Sequence, residues 1–83
     1  MNTRRLMKAY RLSAEDYQKI LDNQKGRCAG CDVHHSERKL LVDHDHKTMR
    51  VRGLLCNDCN LTLGWSHDNP TLLRRLASYL SSL

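Results

Sequence analysis

The chain has 83 residues, a formal net charge of +5, four cysteines, one tryptophan, three tyrosines and no phenylalanine. So short a chain buries too little surface to rest on an apolar core alone, and scarce aromatics thin that core further, which excludes a multidomain enzyme and calls for a staple. No apolar run is long enough to cross a bilayer, and the first residues, MNTRRLMKAYR, lack the apolar segment of a secretory signal, so a cytoplasmic protein with no membrane partner is expected.

The opening segment places Arg4, Lys8 and Arg11 at helical spacing on one side, a basic amphipathic arm suited to phosphate or to a solvated surface. LSAEDYQKILDNQKG is a clearer helix: Ser13 caps it, Glu15 and Asp16 sit in the positive first turn, Tyr17, Ile20 and Leu21 share an apolar face, and Gly26 ends it. RCAGC is a tight knuckle with Gly30 between its cysteines, and the polar loop that follows carries His34 and His35 as loop histidines. LLVDHDH is a short strand, KTM a turn and RVRGLL the return strand. The second CxxC opens a helix, CNDCNLTLG, with Gly64 as its expected stop, and His67 falls in the loop after it. Asn69 and Pro70 start a last helix, whose stripe of Leu72, Leu73, Leu76, Tyr79, Leu80 and Leu83 is expected to pack on its own domain, with pairing to a second copy as the alternative. The expected organisation is one domain over 1–83, with an N-terminal helical part at 1–27, a zinc-framed core at 28–64 and a C-terminal helix at 69–83.

Cys28 and Cys31 with Cys56 and Cys59 form CxxC…CxxC, the arrangement of a four-thiolate zinc site. In a reducing compartment thiolate ligands are favoured over disulfides. Four ligands close the coordination sphere, so this zinc is structural, and for so small a chain its binding is a condition of folding. Four thiolates on one zinc ion lower the effective charge to roughly +3, still favouring a nucleic-acid partner.

Between the knuckles lie the residue types that phosphodiester hydrolysis needs. Asp43 and Asn60 offer oxygen ligands, with Asn60 placed to meet Asp43 or Asp45; a neutral histidine offers the base; Arg50 and Arg52 offer charge near phosphate. Strand alternation puts His44 and His46 on one side and Asp43 and Asp45 on the other unless a bend intervenes, so one member of each pair is a candidate for a structural role. A deaminase reading of HSE at 35–37 with Cys56 and Cys59 fails, because Leu55 stands where that motif needs proline and Cys28 and Cys31 are left unused.

LVDHDHKTMRVRGLLCNDCNLTLG, with GRCAGC upstream, closely resembles the phage recombination endonuclease VII family, a branch of the HNH or His-Me finger nucleases. The resemblance covers about residues 13 to 64. It implies a small α+β, zinc-stapled ββα-metal fold with flanking N- and C-terminal helices. It also implies a magnesium or manganese ion on Asp43 and Asn60, His44 as general base, His46 near the scissile phosphate, and structural zinc on the four cysteines. The junction-resolving members are dimers with a long helical C-terminal part and a glutamate where Leu63 stands here. Nicking or cutting of duplex DNA is therefore the expectation, by a monomer or homodimer in a bacterial or phage-infected cell. The alternative is a zinc-stabilised module that binds nucleic acid without cutting it.

Overall fold

Ser13 opens the first helix of the computed structural model, which describes residues 12–82. Its hydroxyl accepts the Asp16 N–H at 3.0 Å, and α1 runs Ala14–Asn23. Lys25 and Gly26 then turn left-handed, at φ 56° and 72°, and the Gly26 N–H closes on the Leu21 carbonyl at 2.8 Å, so the glycine completes the stop expected of it. Arg4, Lys8 and Arg11 lie outside the described residues.

Strands β1 (Leu40–His44) and β2 (Val51–Cys56) make an antiparallel hairpin in which Leu40 faces Cys56, Val42 faces Leu54 and Asp43 faces Gly53. Leu40 and Val42 alternate inward on β1, but Leu54, Leu55 and Cys56 are buried in succession. A run of three buried neighbours means that β2 is covered on both faces. Tyr17, Ile20 and Leu21 of α1 pack against this core, and the Tyr17 hydroxyl donates to the Leu40 carbonyl at 2.7 Å. The outer edge of β2 is closed by a side chain: Gln24 accepts the Leu54 N–H at 2.9 Å and donates to the Leu54 carbonyl at 3.0 Å, pairing with the strand as a neighbouring strand would.

Helix α2 (Asn57–Trp65) starts directly at the end of β2, with Cys56 as its cap residue. It does not stop at Gly64. His67 and Asp68, both left-handed at φ 56° and 54°, supply the terminating turn instead, with the Asp68 N–H on the Leu63 carbonyl at 2.9 Å. Helix α3 (Pro70–Ser81) is capped by Asn69, whose side chain accepts the Leu72 N–H at 3.1 Å. Contrary to expectation, its apolar stripe does not pack on the core: no α3 residue is buried, and Leu72, Leu76, Tyr79 and Leu80 are exposed. Leu12, the knuckle, the hairpin, α1 and α2 supply the core members among the described residues, and α3 supplies none. Leu83 lies outside the described residues. No helix among them is long and apolar enough to cross a membrane.

Candidate active site and metal centre

The four cysteine Sγ atoms lie within 4.8 Å of one another, with Cys31 and Cys56 at 3.6 Å. Two come from the knuckle and two from the start of α2, so one ion there ties the segment before the hairpin to the helix after it. Backbone at the knuckle is shaped for this: a Cβ on Gly30 would stand 2.8 Å from the Cys59 sulfur, so only glycine lets the loop close on the cluster. Burial alone would raise the Cys28 thiol, but N–H groups of Cys31, Cys56 and Gly30 carry it down to about 6. Cys59 moves the other way, pushed up to about 12 by burial and then by the neighbouring thiols. Several thiolates at one point repel each other unless a cation sits among them, and a tetrahedral all-sulfur set is the donor chemistry zinc takes. His34 and His35 stand apart from the cluster: their rings lie 4.3 Å apart, and His34 Nδ1 is 2.8 Å from Ser36 Oγ.

The second feature is a cavity of about 270 Å³ between the hairpin and α2, lined by Asp43, His44, His46 and Asn60, with Trp65 at its rim. Simple alternation would separate neighbours Asp43 and His44. Both nonetheless line this hollow, opposite a bulge in β2 where the register passes from Asp43–Gly53 to His44–Val51 and leaves Arg52 as the extra residue. The His44 and His46 rings meet there edge to face at 4.9 Å. Asp43 is 7% exposed.

Arg52, expected as charge near phosphate, is engaged within the protein. Its Nε and Nη2 donate to the two oxygens of Asp43 at 2.8 and 2.9 Å, and Nη2 also reaches Asp68 at 3.3 Å. These two carboxylates, Asp43 first, hold the guanidinium charged well above its ordinary range. Each Asp43 oxygen keeps a second lone pair, so the bidentate clamp fixes the carboxylate without exhausting its capacity as a ligand. Asp45 is the structural aspartate of the pair. Its Oδ1 accepts the N–H groups of Lys47 and Thr48 at 2.8 and 3.0 Å, holding the six-residue hairpin loop, and those bonds keep its carboxyl below the usual range.

A further hollow of about 430 Å³ adjoins the first, sharing His46 and Gly64 and adding Lys47, Arg52, His67 and Asp68. His67 is an exposed loop residue, as expected, and from its left-handed turn it also lines this hollow.

The recombination endonuclease VII family model matches residues 3–82. Two mycobacteriophage relatives, the Gene 59 proteins of phages D29 and L5, are 47% and 44% identical over 78 residues, each covering 92% of this chain. The chain spans about half of each relative's length, 47% and 48%. Among solved structures, the crystal structure of the ββα-Me type II restriction endonuclease Hpy99I is similar, with a TM-score of 0.59 and 31% identity over 86% of this chain and 42% of that one. The hairpin running into α2, with four thiols at its base, is the ββα-metal arrangement, and the chain belongs to the recombination endonuclease VII family.

Proposed function

We propose that this protein is a metal-dependent endonuclease that hydrolyses DNA phosphodiester bonds, nicking or cutting duplex or branched strands. The observation that carries the reading is the gathering of Asp43, His44, His46 and Asn60 around one hollow at the hairpin–helix junction, in a chain of this family. One carboxylate and one amide oxygen suit magnesium or manganese, which keep most of their positions for water and phosphate oxygens. When bound, such an ion supplies charge stabilisation for the phosphate and the departing oxygen.

The protein's own residues do the rest. His44 takes the proton from a water molecule whose oxygen bonds to phosphorus as the ester P–O bond opposite breaks. His46, stacked edge-on against His44, orients that ring and faces the phosphate. Arg52 holds the Asp43 carboxylate in place, and the zinc cluster holds Asn60 against the hairpin. Arg50, with Arg4, Lys8 and Arg11 of the N-terminal segment, supplies cations for the phosphate backbone.

The test is conversion of supercoiled plasmid to nicked and linear forms by zinc-loaded protein with magnesium or manganese. His44→Ala is expected to slow cleavage by about 10²- to 10⁴-fold while zinc content and fold are kept. If wild type binds DNA but cuts it with neither ion, the non-catalytic zinc module replaces this reading.

A further inference from the structure

Trp65 is the chain's single tryptophan, and it is 76% exposed at the end of α2, on the rim of the hollow that holds Asp43, His44 and Asn60. Indole is the largest apolar side chain, and in a chain short of aromatics its placement in water gives up packing that the core needs. The residue before it is equally uneconomical for folding. Gly64 lies in the last turn of α2, where glycine weakens a helix relative to alanine, and a Cβ there would meet nothing within 4 Å. No packing inside the described protein calls for a glycine at that point.

Both residues make sense together as one surface. Gly64 and His46 line both hollows, so the two run together across the bare helix backbone at Gly64. Trp65 and the candidate catalytic residues line one of them, and Asp45, Lys47 and His67 line the other. The lining of this trough mixes titratable groups, Asp43, His44, Asp45 and His46, with the apolar side chains of Val42, Leu61 and Leu63. With four thiolates on zinc the chain still carries a net charge of roughly +3, which draws a polyanion toward it, although Asp43, Asp45 and Asp68 stand in the trough beside Lys47 and Arg52. A single nucleic-acid strand has the matching parts: a flat π-face for the indole and a sugar–phosphate needing close approach where a side chain would block it.

We propose that Trp65 stacks on an unpaired nucleobase beside the scissile phosphate, with Gly64 giving clearance for the adjoining sugar–phosphate. The proposal rests on the endonuclease reading for the position of that phosphate. It makes Trp65 a specificity-determining residue that favours strands whose bases are already out of the stack.

The experiment measures fluorescence anisotropy of two labelled strands of equal length and phosphate count, an oligothymidylate and its fully abasic counterpart, without added divalent ions. It uses zinc-loaded His44→Ala protein with and without Trp65→Ala or Trp65→Phe. With Trp65 present the base-bearing strand is expected to bind about tenfold more tightly than the abasic one. Trp65→Ala is expected to bind both strands alike, and Trp65→Phe to keep part of the preference. Quenching of the lone tryptophan by the thymidylate, and not by the abasic strand, is the accompanying signature. Equal affinity for the two strands with Trp65 present, or an undiminished preference in Trp65→Ala, overturns the proposal. Because nothing is cut in this assay, plasmid cleavage by the wild type judges the endonuclease reading separately.

Discussion

Arg52 and Asp43 show how one side chain tunes another at the candidate site. The guanidinium meets both carboxylate oxygens in a fork that lysine cannot reproduce. Arg52→Lys is therefore expected to keep the fold but weaken manganese binding by about 10- to 100-fold, read by calorimetric titration. Arg52→Ala leaves a buried carboxylate without its main partner, and is expected to cost about 1–3 kcal/mol in urea unfolding as well. Asn60→Ala removes an oxygen donor from the hollow while the four thiols stay, so lost cleavage with unchanged zinc content is the expected pair of results. This separation holds because Asn60 lines the hollow and is no part of the sulfur cluster.

At the scale of elements, Gln24 does the work of a missing strand. Its amide reaches both backbone groups of Leu54, the most deeply buried of the described residues at 0% exposure, and shares the Leu54 carbonyl with the Ala29 N–H. Gln24→Ala strands the Leu54 N–H, so a loss of about 1–3 kcal/mol in chemical denaturation is expected. Gln24→Glu keeps the acceptor and loses the donor, and is expected to fall between. This contact was beyond the reach of sequence reasoning, because a polar residue just past a helix carries no local sign of pairing 30 positions away. What was legible had local chemistry behind it: Ser13 and Asn69 as caps, Gly26 as a stop, two apolar runs flanking a turn, and doubled CxxC spacing. Gly64 misled because the helix-ending role passed to His67 and Asp68, whose left-handed geometry other residues also reach at some cost. The bulge at Arg52 was likewise invisible in composition, although the possibility of a bend was open. The stripe of α3 followed helical periodicity correctly, but periodicity does not say which surface, if any, receives it.

Across the whole molecule, the sulfur cluster joins parts that the thin core holds weakly. Removing zinc is expected to unfold the chain, with far-UV dichroism and zinc content lost together on titration with a chelator. Ligand thiols must be deprotonated, so zinc is retained toward higher pH and released as pH falls; the acid unfolding midpoint is expected to shift upward when free zinc is scarce. The basic charge acts at the same scale. DNA affinity is expected to fall steeply with added salt, with a log–log slope of about −0.9 for each phosphate neutralised. A flat dependence would remove the lysines and arginines from the binding surface.

Cys56 ends β2, caps α2 and contributes a sulfur to the cluster, all within one residue. Strand, ion and helix therefore share a common origin, and Asn60 is set by angular phase from that origin, four residues along a helix that advances about 100° per residue. A single residue inserted between Cys59 and Asn60 leaves both knuckles intact yet swings the amide about 100° around the helix axis, away from Asp43. The same insertion in the polar loop between Asp32 and Lys39 alters no phase at all. Tolerance to length change in this protein is thus decided by which side of the CNDCN clock it falls on, and not by distance from the candidate catalytic groups.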